Sequence, residues 1–201
     1  MHHLEYFHFS KQDTAKKNWS QHKKTLFLAA MLVAVSVIGR IIPHPWNMTP
    51  VIGATIFAGV TLGKRWALAI PLASMFLSDM VIGFYNWKFL AVVYGAMLLI
   101  GLVSYLSKEQ KGTTAFLARP VMASVFFFLT TNAAVCFFGT MYPHSAAGLL
   151  ASYISGLPFF GRDLLGNLLY VSVFFGMYEF AKNWSVAKNH HAAPSFEQSP
   201  K

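Results

Sequence analysis

A chain of 201 residues that is 55% hydrophobic, 16% aromatic and only 11% charged, with a mean hydropathy of +0.47, excludes a soluble globular or disordered protein. It indicates an all-α, polytopic membrane helix bundle. The net charge of +9 would suggest nucleic acid in a soluble chain, but here the basic residues sit at the ends of apolar runs, where they act as topology signals, and no nucleic-acid partner is expected.

Residues 1–24 are polar and basic and predict a cytosolic N-terminal arm with an interfacial turn near Trp19. Basic residues before an apolar run also suit a signal peptide. The run continues without a small-residue cleavage site, so the segment is expected to be retained. The first transmembrane helix is predicted over 26–42, a second, short helix rich in small residues over 50–62, a third over 66–83 and a fourth over 89–106. A polar linker, 107–118, precedes the fifth helix at 120–138, where Pro120 suits a first turn. Residues 146–160 are apolar but interrupted by Gly148, Gly156 and Pro158, which predicts a re-entrant or interfacial segment before the sixth helix at 164–181. The domain plan is therefore a basic arm over 1–24, a six-helix membrane domain over 25–182 and a disordered tail over 183–201. With both termini cytoplasmic, the cytoplasmic segments carry thirteen of the sixteen Lys and Arg residues; Arg40, Lys88 and Arg162 fall on the far side. The lone Cys136 forms no intramolecular disulfide or thiolate cluster, and packing as a small hydrophobe is its expected role.

Arg40-Ile-Ile-Pro-His-Pro-Trp-Asn-Met-Thr-Pro50 breaks the apolar pattern. Its three prolines forbid a continuous helix. It also holds more hydrogen-bonding groups than a connector needs. Headgroup snorkelling by Arg40, an interfacial Trp46 and a helix cap at Asn47 would account for each group singly. Taken with Asp79, Asn132 and Tyr142 near the same ends of later helices, the set predicts a polar, outward-facing pocket, because intramembrane polar groups are costly and usually face a cavity or a partner. The candidate ligand-binding residues are Arg40, His44, Asn47, Asp79, Asn132 and Tyr142, beneath a lid formed by 142–161 hinging at its glycines. The alternative is that Asp79 pairs with Arg40 or Lys88, and Asp163 with Arg162, to hold loops.

The pattern Arg40-x-x-Pro43-His44-Pro45-x-Asn47-x-Thr49-Pro50, followed by Leu77-Ser78-Asp79, Thr131-Asn132, Tyr142-Pro143-His144 and Gly166-Asn167-Leu168-x-Tyr170, resembles an uncharacterised bacterial membrane protein family. That family is similar to the substrate-binding S components of energy-coupling-factor vitamin transporters; it carries an acid where this chain has Asn167. The resemblance implies six helices in a bacterial inner membrane and a pocket for a vitamin- or cofactor-like molecule. It further implies docking on an energy-coupling membrane protein with ATPase subunits, through an Ala-x-x-x-Ala face matched by Ala30 and Ala34. Ala54/Ala58 and Gly59/Gly63 have the same spacing. No nucleotide-binding motif is present, so any ATP-driven step would need other chains; the chain itself is expected to be no enzyme, and no cofactor or metal is expected.

Three other classes compete. A structural or assembly subunit needs no ligand. A haem redox protein would use His44 and His144 as axial ligands. An intramembrane hydrolase would use Ser78, Asp79 and a histidine, although adjacent residues on one helix point about 100° apart and serve one histidine poorly.

Overall fold

The computed structural model describes residues 2–43 and 47–191, with side chains described for 19, 21–43 and 47–185. Six helices follow one another: α1 (His2–Ile41), α2 (Val51–Thr61), α3 (Lys64–Ile82), α4 (Trp87–Leu106), α5 (Thr113–Phe138) and α6 (Ala146–His191). Five contain stretches long and apolar enough to cross a membrane: Gln21–Ile41, Lys64–Ile82, Trp87–Leu106, Thr113–Phe138 and Ala146–Ser185. The protein is a membrane helix bundle.

The sixth helix, α2, has 11 residues. At ~1.5 Å per residue that is about 16 Å, half the hydrocarbon thickness. It is the centre of the bundle, packing on all five others. Every residue from Val51 to Gly59 is buried. Small residues allow this close packing. A Cβ at Gly53 would lie 2.7 Å from Tyr170 Cβ on α6, and one at Gly59 would lie 2.8 Å from Ser104 Cβ on α4. Phe57 supplies the bulk between them, meeting Phe175 edge-on at 5.0 Å and Tyr178 at 5.5 Å. The hydroxyl of Thr55 donates to the Val51 carbonyl at 2.7 Å, and that of Thr61 to Phe57 at 2.6 Å, so neither needs a partner outside α2.

Helix register shows which ends lie together. Ala29 and Leu32 of α1 pack with Phe57 and Ala58 near the C-terminal end of α2, whereas a Cβ at Gly39 would meet Pro50 at its start. Phe116, early in α5, packs edge-on against Phe175, late in α6. α2 therefore runs from the Arg40 end, where Pro50 meets Gly39, to the end that carries the α2–α3 and α4–α5 turns. The start of α1 and the end of α6 lie toward that second end.

Four expectations are corrected. Residues 146–160 form no separate re-entrant segment but are the first third of one continuous helix, α6, that passes through Pro158. One lost backbone bond at a proline is tolerable in a packed membrane helix. The two glycines are packing positions: a Cβ at Gly148 would collide with the Pro143 carbonyl, and one at Gly156 would stand 2.5 Å from Asn132 Oδ1. The fifth helix starts at Thr113 after Gly112 (φ 94°), so Pro120 is internal and the polar linker is shorter than predicted. α1 is helical from His2 through Trp19 with no interfacial turn. α6 continues to His191, so the part of the predicted disordered tail up to that residue is helical; 192–201 lie outside the described residues.

Candidate functional site

Arg40 closes α1, Asp79 lies one turn before the end of α3, and Tyr94 lies two turns into α4. The short turn 83–86 makes α3 and α4 antiparallel neighbours, and α1 packs on α3. These three elements bring the side chains together. Arg40 Nη2 donates to Asp79 Oδ1 at 2.8 Å, the Tyr94 hydroxyl donates to Asp79 Oδ2 at 2.8 Å, and Arg40 Nη1 contacts the thioether of Met75. Both carboxylate oxygens are thus occupied. Asp79 is 1% exposed and the Arg40 side chain 16%. Burial, with the Asp79 carboxylate nearby, raises the Tyr85 phenol above its ordinary pKa, while Arg40 opposes the shift.

Two serines lie close to this network on the same helices. Ser36 is one turn before Arg40 on α1, and Ser74 immediately precedes Met75 on α3. Both are fully buried, and neither hydroxyl has a hydrogen-bond partner among the described residues. A buried donor left unmet costs roughly 1–3 kcal/mol, and these are the two such side-chain groups among the described residues. Ser78 differs, because its hydroxyl donates within α3 to the Ser74 carbonyl at 2.7 Å.

The other candidates from the sequence are dispersed. His44 lies outside the described residues. Asn47 is exposed in the turn before α2 at φ 65°, a left-handed conformation that asparagine tolerates. Asn132 sits on α5, which packs on α2, α4 and α6 and is not adjacent to α1 or α3. Its amide donates to the Phe128 carbonyl at 2.9 Å, and its own carbonyl accepts from Ser152 of α6 at 2.9 Å. It clasps α5 to α6. Tyr142 is half-buried in the α5–α6 turn. Cys136 is fully buried with its thiol 3.5 Å from the Pro143 carbonyl, in line with a packing role.

A second polar cluster joins α5 and α6. The Asn167 amide donates to Ser124 Oγ at 2.8 Å and to Asp163 Oδ2 at 2.9 Å, all three residues being buried. Asp163 takes Asn167 rather than Arg162 as its partner, because residues i and i+4 share a helix face and adjacent ones do not. Arg162 is exposed within α6 instead of lying in a far-side loop.

Among the described residues there is no group of three or more His, Cys, Asp or Glu able to hold a metal ion. A cavity of about 440 Å³ opens between α4 and α5, at the end away from Arg40, and apolar side chains form most of its wall. No motif in the sequence marks Tyr94 or Met75 as members of the Arg40–Asp79 network. Met75 was accessible as the residue one turn before Asp79, whereas only the α3–α4 register brings Tyr94 there. No curated protein and no solved structure matches the chain. Residues 20–191, from within α1 to the end of α6, match a family of unknown function, DUF6580, and the chain belongs to that family.

Proposed function

We propose that this membrane protein binds a small polar molecule beside the Arg40–Asp79–Tyr94 network and carries it across a bacterial inner membrane, in the manner of a transporter S component. The observation that carries the reading is the pair of buried, unpartnered hydroxyls, Ser36 and Ser74, on the two helices that carry Arg40 and Asp79. The chemistry needed is binding and release, with no catalytic role for the chain. In this reading the Arg40 end faces outward and both termini are cytoplasmic, because Lys64, Arg65, Lys108, Lys111 and Arg119 gather at the other end.

The small-residue pairs also divide. Ala54 and Ala58 are consumed in the core, whereas Ala30 and Ala34 are exposed on α1. In this reading the exposed α1 pair, unlike the buried Gly59 of the third pair, supports docking on an energy-coupling membrane protein with ATPase subunits. A structural subunit is the second reading, favoured by the full occupation of the Asp79 carboxylate.

Native mass spectrometry of the detergent-purified chain separates the two. Binding requires a reproducible vitamin-sized adduct that Ser36→Ala or Ser74→Ala weakens by roughly 5- to 150-fold, the equivalent of one buried hydrogen bond. A structural clasp predicts unchanged or higher stability in both variants and no such adduct. Orientation is tested separately: a cysteine replacing Lys111 in intact cells should resist impermeant thiol reagents, and labelling there would reverse the assignment of sides.

A further inference from the structure

The cavity between α4 and α5 is polar at one end only. Its mouth is formed by Ser107, Gln110 and Arg119, and it runs toward Leu99 and Phe126 along apolar walls. From Ser107 back to Leu99, α4 covers about 12 Å at ~1.5 Å per residue. Leu99, Val103 and Met122 are 50%, 54% and 63% exposed, so the groove opens sideways from the bundle, onto the surface that a bilayer covers. A slot with its polar mouth at the helix ends and its apolar floor pointing toward mid-membrane has the polarity of a lipid molecule standing in one leaflet.

Charge at the mouth matches an anion. Arg119 Nη2 donates to the carbonyls of Ser107 at 2.6 Å and Gln110 at 2.7 Å, and Nε lies 3.3 Å from Ser107 Oγ, which fixes the guanidinium across the turn. The hydrogen bonds among the described residues engage Nε and Nη2, leaving the Nη1 donors. Lys111 is exposed in the same turn, and Lys108 sits over the Tyr105 ring at 4.9 Å. Glu109 is the one acid of that turn; it is 81% exposed and reaches Lys108 at 3.8 Å. Arg119 at the mouth and Lys111, next in the chain to the mouth residue Gln110, therefore remain for a headgroup.

We propose that the α4–α5 groove is a binding site for an anionic phospholipid, with one acyl chain in the slot and the phosphate between Arg119 and Lys111. Basic pockets between membrane helices hold such headgroups by the same combination of charge and an apolar cleft. The site is independent of the proposed binding at Arg40, which lies at the opposite end of the bundle.

The test is native mass spectrometry of the full chain titrated with phosphatidylglycerol or phosphatidylcholine of identical acyl chains. Phosphatidylglycerol should be preferred by at least about fivefold, and Lys111→Gln should remove about fivefold of that preference. Ala118→Phe, which fills the slot and leaves the cations in place, should reduce phosphatidylglycerol binding by a similar factor; Met122→Trp on the exposed wall gives the same readout if Ala118→Phe does not fold. Equal binding of the two lipids overturns the proposal, as does insensitivity to groove filling. Competition by chain-free glycerophosphate at the same concentration as the lipid would assign the cations to a soluble phosphate instead.

Discussion

Replacing Asp79 with asparagine is expected to destabilise the bundle by about 3–5 kcal/mol, because it leaves the partly buried Arg40 guanidinium without its counter-ion. The geometry explains the size of the effect. Asp79 is 1% exposed and accepts from Arg40 and Tyr94 through different oxygens, so one change disturbs contacts among α1, α3 and α4. An asparagine keeps the shape but replaces one acceptor oxygen with a donor that faces either the guanidinium or the phenol. The double variant Arg40→Met/Asp79→Leu should recover much of the loss, since apolar pairs often replace buried ion pairs at little net cost. Thermal unfolding of purified wild type, single and double variants measures this coupling. A double variant no more stable than Asp79→Asn alone would show that the two charges do not depend on each other.

Gly101→Ala should be the other severe change. A Cβ there would lie 2.1 Å from the Ala67 carbonyl oxygen and 3.0 Å from its carbon, and these are backbone atoms of α3 that no rotamer change can move aside. Relief requires α3 and α4 to separate, which also loosens α2, since Thr55 Cγ2 lies 3.3 Å from the same point. Overpacking of this kind costs typically 1–3 kcal/mol, and the backbone contact puts Gly101→Ala at the upper end, about 3 kcal/mol. Gly95→Ala, on the same helix, is the control: nothing lies within 4 Å of its Cβ position, and the variant should be near neutral. Melting temperatures of the two variants decide the point. Equal, small shifts would mean that the close α3–α4 approach is absent.

The pocket expected from the sequence brought together residues by depth in the membrane, and depth is only one coordinate. Arg40 and Asp79 do meet, since α1 and α3 are neighbours; Asn132 stands at the α5–α6 contact, because α5 packs on the far side of α2. Depth can be estimated by counting residues from the nearest turn. Azimuth around the bundle depends on which helices are adjacent, and in a chain whose helices are apolar on all sides the hydrophobic pattern does not indicate a packed face.

Some conclusions required nothing beyond composition and order. Mean hydropathy, helix-length apolar runs and the clustering of Lys and Arg at run ends made this an all-α membrane bundle, because a bilayer admits few other solutions for a chain that must satisfy its backbone internally. Tertiary structure alone decided three matters. It made the short α2 the buried centre of the bundle, because Gly53 and Gly59 let α6 and α4 close on it. It joined 146–160 to the last helix, because Gly148 and Gly156 pack against Pro143 and Asn132 instead of bending. And it brought Tyr94 to Asp79, because a hydrogen bond between residues on different helices depends on their register and rotation, which no local pattern encodes.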